Sequence, residues 1–177
     1  MTMDSSKAEP DGIRRLFFDL YMNHKNRVAR ILRYYGVHAD AMEDATQEVF
    51  AALVRSSRDA GGASIQDPAA YLFQIARNTA ITLLRQRYHQ TEVSLDGIGA
   101  DGFEAKPDAD AELSDCLLHA MRDMPGVPRE VLVYRIFQEL SFAQIAAILG
   151  LPLGTVTSHY RRGLDHIRQR LGDKQYH

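Results

Sequence analysis

Residues 141–162 read SFAQIAAILGLPLGTVTSHYRR, a short helical pattern followed by a break and a second helical pattern. Ser141 with Gln144 three residues later is a capping-box signature, which predicts the start of a short helix. Gly150-Leu151-Pro152 stops that helix, and a final helix is expected over 153–171. Two helices joined by a three-residue break containing Gly form the helix-turn-helix arrangement.

The second helix of this pair carries polar and basic side chains on its outward face. Short polar side chains reach base edges, whereas longer basic ones hold phosphates and set the docking register on a duplex. The pattern therefore favours DNA binding. A purely structural three-helix bundle is the alternative, because the same pattern occurs in helical proteins that never contact DNA. The candidate contacts are Thr157, Ser158, His159, Arg161 and Arg162.

The N-terminal third of the chain also has helical periodicity. An apolar stripe with helical spacing runs through residues 17–35 and ends at Gly36. Asp40 and Glu43 have the spacing of a second capping box, so the next helix is expected to begin there.

Two further signals complete the helical pattern. Asp67-Pro68 is an N-cap followed by Pro at the first helical position, which predicts a helix from there to about Tyr88. Shorter helices are expected over 113–124 and 127–138. Because no segment alternates convincingly like a strand, we expect an all-α fold of two small helical domains, the C-terminal one a helix-turn-helix.

The net charge of −2 conceals an uneven distribution. Residues 93–115 hold seven acidic residues and one base, Lys106, so this segment is −6 and the rest of the chain is +4. Composition rich in Gly, Asp and Ala buries too little apolar area to offset its ordering entropy. We therefore expect a flexible acidic linker over 93–113, with a long ordered surface loop as the alternative.

Several classes of protein are excluded by composition and spacing. The longest strictly hydrophobic run, Val49–Val54, has six residues, too few to cross a bilayer as a helix. The single cysteine, Cys116, rules out an internal disulfide and a Cys-cluster zinc site. The seven histidines are scattered without ligand spacing, and no Gly-rich phosphate loop occurs. We predict no catalytic residue, metal or cofactor, and hence a protein that is not an enzyme.

Three motifs resemble the extracytoplasmic-function group of bacterial RNA polymerase sigma factors. DATQEVF at 44–50 is similar to the D-x-x-Q-E-V-F motif of the family's second conserved region, and AYLFQIARN at 70–78 is similar to its W/Y-L-x-x-I-A-R-N helix. Leu140-Ser141-Phe142 with Ile145-Ala146 and Gly154-Thr155-Val156 resembles the fourth-region helix-turn-helix. The motifs occur in family order and spacing across most of residues 13–172.

The resemblance implies a docking surface for the polymerase on one helix face. Asp44, Gln47 and Glu48 share a face, opposite one that contains Val49 and Leu53. In the family this polar face docks on the β′ clamp helices of core RNA polymerase, and the β flap is a further contact. A solvated acidic helix face is the alternative.

The resemblance also implies that the helix from Asp67 helps to melt and hold the −10 promoter element. An unstacked base needs donors and acceptors, and the exposed backbone needs cations. Arg77 stands equally well as a DNA contact or as an internal brace of the domain. The loop over 56–66, which includes Arg58, occupies the place where the family captures a flipped base. The candidate residues for the −10 element are Arg58, Asn78, Arg77, Arg85 and Arg87.

By the same resemblance the final helix reads the −35 element through Thr157, Ser158, His159, Arg161 and Arg162. Thr157 stands where many relatives have Lys or Arg, and Leu164 stands where many have a further Arg, so Leu164 is expected to pack inward. The Arg-Gly-Leu segment at 162–164 and the start of the Asp67 helix look like the iron-uptake (Fec-like) branch of the family.

Taken with its family, the chain is expected to be a dissociable sigma factor in the cytoplasm, without direct membrane insertion. It would bind core RNA polymerase, recognise −10 and −35 promoter DNA, promote DNA opening and be restrained by an anti-sigma factor, which in this family can be membrane-anchored. The expected division is a tail (1–12), a region-2-like domain (13–92), a linker (93–113), a region-4-like domain (114–172) and a tail (173–177). A helix-turn-helix regulator that does not dock on core polymerase is the alternative.

Overall fold

The computed structural model describes residues 9–59, 65–88, 119–121, 124 and 126–173. Those residues form helices and turns and no strand, which confirms the all-α prediction. The linker at 93–113 and Cys116 lie outside the described residues. The helices are α1 (Glu9–Tyr34), α2 (Met42–Asp59), α3 (Pro68–Tyr88), α4 (Gly126–Leu132), α5 (Phe142–Leu149) and α6 (Leu153–Asp173). A 3₁₀ turn (Ala39–Ala41) precedes α2, and a π-helical turn (Val133–Phe137) continues α4.

Helices α1, α2 and α3 pack on one another around fully buried aliphatic side chains. The α1 stripe supplies Val28 and Leu32, α2 supplies Val49, and α3 supplies Leu72, all without exposure to solvent. Helix α1 ends at Tyr34, and the predicted stop at Gly36 follows two residues later, where a φ of +87° is the left-handed conformation that glycine adopts without strain. The turn brings the start of α2 back against α1 and α3.

The predicted helix starts have different outcomes. Asp67 caps α3 as expected, because its Oδ1 accepts a hydrogen bond of 2.9 Å from the backbone N–H of Ala70. The capping box of Asp40 with Glu43 is wrong. Asp40 lies inside the 3₁₀ turn, whose N-cap is His38 with no side-chain cap bond, and α2 begins only at Met42. A preceding 3₁₀ turn shifts the helix start and moves Asp40 out of the capping position.

The helix-turn-helix forms as the sequence predicts. Ser141 and Gln144 make both bonds of the capping box at the start of α5, at 3.2 and 3.0 Å. Gly150 ends α5 with φ +65°, and Val156 is fully buried under the crossing of α5 and α6. Gly163 of α6 packs closely on α4, since a Cβ there would stand 2.6 Å from Leu132 Cδ1.

The helix expected over 127–138 is confirmed in extent, although its second half is π-helical. Its first half is α4, but the chain widens into the π-helical turn and stops at Gln138, whose N–H bonds the carbonyl of Val133 at 3.1 Å. Glu139 then takes φ +55°, the sole positive φ at a non-glycine position in the described part of the chain. This kink directs the Gln138–Leu140 segment toward α1.

The two sets of helices also pack against each other. Helix α3 lies directly against α5, and the buried side chains of both sets form one continuous hydrophobic cluster. Nothing in the sequence pattern predicted this contact. Within the described ranges, no helix combines the length and the apolar character needed to cross a membrane.

Candidate nucleic-acid and polymerase interfaces

Helix α6 is held on the bundle by its inner face. Val156 and Ile167 are buried, and the predicted inward packing of Leu164 is confirmed, since it is half-buried against the core. The ring of Tyr160 meets Phe142 of α5 edge-on, with centroids 5.1 Å apart. These contacts fix the rotation of α6 and therefore the direction of its outer face.

The outer face of α6 carries the residues that the sequence singled out. Arg161 and Arg162 are exposed, as is Ser158, and Thr157 and His159 are half-buried beside them. The hydroxyls of Thr157 and Ser158 donate to the carbonyl of Gly154 at 2.9 and 2.8 Å, so their oxygen lone pairs remain as acceptors. Burial, and then the charge of Arg162, lowers the pKa of His159, which favours the neutral imidazole. The result is a short polar row followed by two cations.

The −10 candidates on α3 fall on different sides of the helix. Asn78 and Arg85 are both exposed and stand seven residues, two turns, apart, so they share one face. Arg87 lies on another side, where it lines a cavity with His38 and Asp40. Arg58 lies in the last turn of α2, where the sequence predicted a loop, and its side chain is outside the described residues.

Arg77 does not share the exposed face of Asn78. Its Nε donates to Glu130 Oε1 at 3.0 Å and lies 3.1 Å from the hydroxyl of Tyr35, and its Nη2 lies 3.4 Å from Glu130 Oε2. Glu130 belongs to α4, so the ion pair joins the two sets of helices. In this arrangement Arg77 joins the two sets of helices, whereas the sequence offered it as a DNA contact or as a brace within its own domain. Its role at the −10 element stays a prediction.

A buried network surrounds this ion pair. The Tyr35 hydroxyl donates to Glu130 Oε1, and the Tyr134 hydroxyl lies 3.2 Å from that of Tyr35. Because the single proton of Tyr35 goes to Glu130, Tyr134 is the donor in the second bond. Burial raises the pKa of Tyr35 well above its usual value, so both phenols stay neutral donors. Burial alone would lower the pKa of Arg77, but neighbouring Tyr35 and Glu130 raise it, so the cation persists.

The face assigned to polymerase docking is exposed. Asp44, Gln47 and Glu48 are all accessible on α2, whereas Val49 on the opposite face is fully buried. Within α2, Gln47 lies 3.4 Å from Glu43, and Glu48 pairs with Arg55 at 2.5 Å with both side chains more than half exposed. Such surface contacts contribute little to stability, about 1 kcal/mol at most, so this face is free to exchange them for a partner.

Glu130 and Tyr35 are the structurally important residues that sequence reasoning missed. The sequence pattern predicted Tyr35 only as one buried apolar residue of the α1 stripe and gave no sign of its hydroxyl's bond to Glu130. The available signal for Glu130 was weak: it is a charged residue next to the consecutive apolar residues 131–133. No ion-binding cluster of His, Cys, Asp or Glu occurs in the described part of the chain.

A helix-turn-helix with a basic outer face, joined to a second helical unit with an exposed acidic face, is the arrangement of a DNA-binding protein. Two protein-family models match this chain, one in each half. The family model for sigma-70 region 2 matches residues 20–90, and that for sigma-70 region 4 matches residues 114–167.

Individual relatives agree with these two models. The RNA polymerase sigma factor CarQ of Myxococcus xanthus is 29% identical over 165 residues, covering 92% of this chain and 93% of CarQ. The ECF RNA polymerase sigma factor RpoE of Cereibacter sphaeroides is 29% identical over 158 residues, covering 88% of this chain and 86% of RpoE. Among solved structures, the sigma factor RpoE in complex with the anti-sigma factor NepR from Bartonella quintana has the same fold. Its TM-score is 0.62 at 17% identity, with 89% of this chain and 98% of that chain covered.

The chain belongs to the extracytoplasmic-function group of RNA polymerase sigma factors. It acts in transcription initiation as a sigma factor, with core RNA polymerase and promoter DNA as its partners.

Proposed function

We propose that α6 is the helix that reads the −35 element in the major groove. The observation that carries this proposal is the row of Thr157, Ser158 and His159 followed by exposed Arg161 and Arg162, on a helix whose inner face is fixed against α5. Hydroxyl and imidazole groups accept or donate at base edges, and the two guanidinium groups hold phosphates.

The exposed face of α3 is proposed to hold the opened −10 element. Asn78 offers both a donor and an acceptor to an unstacked base, and Arg85 on the same face supplies a cation for the backbone. Arg87, which lies on another side of α3, would contact flanking phosphates. Arg58, in the last turn of α2, is proposed as a further phosphate contact. Arg77 could join them only after its pairing with Glu130 is broken.

The acidic face of α2 is proposed to dock on the β′ clamp helices, with the β flap as the second contact of the polymerase. The supporting observation is that Asp44, Gln47 and Glu48 are exposed together, whereas the residues that stabilise the domain lie on the opposite face. In this proposal the chain is not itself an enzyme, acts in the cytoplasm, and is divided as 13–92 and 114–172 by the linker 93–113. An anti-sigma factor regulates it.

Run-off transcription with purified core polymerase tests the whole proposal. The wild-type chain is expected to direct core to specific genomic promoters, and the chain alone to bind those promoters poorly. Absence of promoter-specific transcripts would contradict the assignment.

Docking is tested separately by core association of Gln47→Ala and Glu48→Ala variants, which should fall at least about tenfold. Asp19→Ala is the matched control, because Asp19 is exposed on α1, away from the docking face. A regulator that acts without docking would show no loss in either variant. Because the contacts of Gln47 and Glu48 are exposed, neither substitution is expected to unfold α2.

A further inference from the structure

Among the described residues, polar contacts join the N-terminal helices to the C-terminal ones at several places. Deep in the interface, Tyr35 and Arg77 both bond Glu130, and the Tyr35 hydroxyl also meets that of Tyr134. A further bond runs from the Arg27 guanidinium to the backbone carbonyl of Gln138. Another, between Gln144 Nε2 and Asp67 Oδ2 at 3.0 Å, lies at the exposed rim.

Glu130 is the centre of this interface. It is 2% exposed, and its two oxygens receive bonds from Tyr35 and from two nitrogens of Arg77. A buried carboxylate held by a single guanidinium depends strongly on that partner, because losing either charge leaves the other unpaired away from water. The closed arrangement is therefore much more sensitive to Glu130 and Arg77 than to any exposed pair.

Buried Gln138 lies at the interface, where its backbone carbonyl accepts from Arg27. Neither polar atom of its side chain finds a hydrogen bond among the described residues. Buried polar atoms without partners destabilise the state that buries them. The apolar side chains of the two sets are continuous, but unsatisfied polar atoms weaken the contact between them, which suits an interface that forms and separates.

The closed arrangement is too short to span a promoter. Elements about 10 and about 35 base pairs upstream of the start are about 25 base pairs apart, about 85 Å along the duplex at about 3.4 Å per base pair. Helices α3 and α6 have 21 residues each, about 31 Å, and α3 touches α5 of the helix-turn-helix directly. A compact chain of this length has a radius of gyration of about 16 Å. The two DNA-reading faces cannot reach both elements while α3 and α5 remain in contact.

The polymerase-docking face remains accessible in the same arrangement. Asp44, Gln47 and Glu48 are exposed on α2, whereas Arg77 is paired across the interface. The closed molecule can therefore meet its protein partner but cannot span both elements of its DNA.

We propose that Glu130, held by Arg77 and Tyr35, is a latch that keeps the free sigma factor closed, so that core polymerase binds first and promoter DNA binds only after the latch opens. This inference rests on the proposed function of α3 and α6, since it needs two separate promoter elements. Opening returns Glu130 to water and frees Arg77 for nucleic acid.

The test uses the full chain and two substitutions that weaken the latch in different ways. Glu130→Gln removes the charge at the centre and leaves Arg77 unpaired, and Tyr35→Phe removes the hydroxyl that donates to Glu130 while keeping both charges of the ion pair. Asp19→Asn is the matched control for Glu130→Gln, because it removes one negative charge from an exposed position on α1. Helix content by circular dichroism is measured for each variant, so that a variant that fails to fold is recognised.

Small-angle scattering reports closure without DNA. We expect the wild type and Asp19→Asn to share one radius of gyration, and both interface variants to be larger by several ångströms. Affinity for a promoter duplex, chosen by run-off transcription with the wild-type holoenzyme, should rise about tenfold or more for Glu130→Gln without core polymerase. Core association should be unchanged.

Two results would overturn the latch: a wild type as extended as the folded variants, or folded variants that remain as compact as the wild type. If Glu130→Gln were to unfold, Tyr35→Phe decides by the same criterion, since it removes one bond of the latch without leaving a buried charge unpaired. The proposed function has a separate readout, because it fails if the wild-type holoenzyme initiates at no promoter, whatever the scattering shows.

Discussion

Gly163 and Leu132 pack so closely that no larger residue fits between α6 and α4. A Cβ on Gly163 would stand 2.6 Å from Leu132 Cδ1 and 2.9 Å from Leu132 Cγ, and Leu132 has no exposed surface into which it could move. Because Gly163 has no side chain, α6 of the helix-turn-helix packs directly against Leu132 of α4.

Gly163→Ala is expected to destabilise the protein by about 1–3 kcal/mol, the usual penalty for overpacking a core, despite the higher helix propensity of Ala. Urea denaturation measures the change. Gly172→Ala is the control, because a Cβ on Gly172 would meet no atom within 4 Å, and it should cause no loss. Equal stability of the two variants would show that Leu132 moves aside freely.

Gln138→Met is expected to stabilise the closed molecule. The buried amide of Gln138 has no hydrogen-bond partner among the described residues, and Met of similar length removes that deficit while the backbone carbonyl still accepts from Arg27. The gain should be about 1–2 kcal/mol in the free energy of unfolding. Gln169→Met, on the exposed side of α6, should give no gain. A destabilised Gln138→Met variant would mean that the amide is hydrated and satisfied in solution.

The stability contributed by His24 should decrease in mild acid. Burial, and then the charge of Arg27, lowers the pKa of His24, against an opposing effect of Asp67. Because the folded pKa lies below the ordinary value of about 6.5, the unfolded chain takes up the proton first as the pH falls. The contribution of His24 is therefore present above about pH 6.5 and is lost as the pH falls through the folded pKa.

Urea unfolding at about pH 7.5 and about pH 5.5, on either side of the ordinary pKa, measures this loss. The decrease in stability should be smaller in a His24→Leu variant than in the wild type. His38→Gln, at an exposed position, should behave like the wild type. Identical pH dependence in all three proteins would contradict the assignment to His24.

Arg161→Gln and Arg162→Gln should each weaken holoenzyme binding to promoter duplex and reduce its salt dependence. Each phosphate contact removed lowers the slope of log affinity against log salt by about 0.9. An Arg that instead bonds a guanine edge would change sequence preference at one position and leave much of the slope intact. Affinity is measured across a range of salt concentrations, with Arg14→Gln on α1 as the control for the loss of one positive charge.

Local signals were sufficient to predict most helix boundaries. Asp67 before Pro68 and Ser141 before Gln144 act within four residues of themselves, so the sequence alone revealed both helix starts. Asp40 had the same spacing to Glu43, but the chain forms a 3₁₀ turn there instead. The π-helical turn after Leu132 likewise has no sequence signature of its own.

The exposed rows on α2 and α6 were predictable because a helix repeats every 3.6 residues, which assigns each residue a face. The partner of Arg77 was not, since Glu130 is 53 residues away and no periodicity connects them. From the sequence, Arg77 was equally well a DNA contact or an internal brace. Which residue it pairs with in the free chain depends on tertiary packing, which the sequence pattern does not reveal.

The bond between Gln144 and Asp67 provides a spectroscopic reporter that needs no added label. The side-chain oxygen of Gln144 accepts a hydrogen bond from the backbone N–H of Ser141, the N-cap of its own helix. Its side-chain amide NH2 donates to Asp67, 77 residues earlier in the chain. When the two sets of helices separate, the amide NH2 of Gln144 is released to water, whereas its oxygen keeps the hydrogen bond to Ser141. The side-chain amide protons of this one residue would then shift and exchange faster in an NMR spectrum, so the populations of closed and open sigma factor could be read from native, unmodified protein.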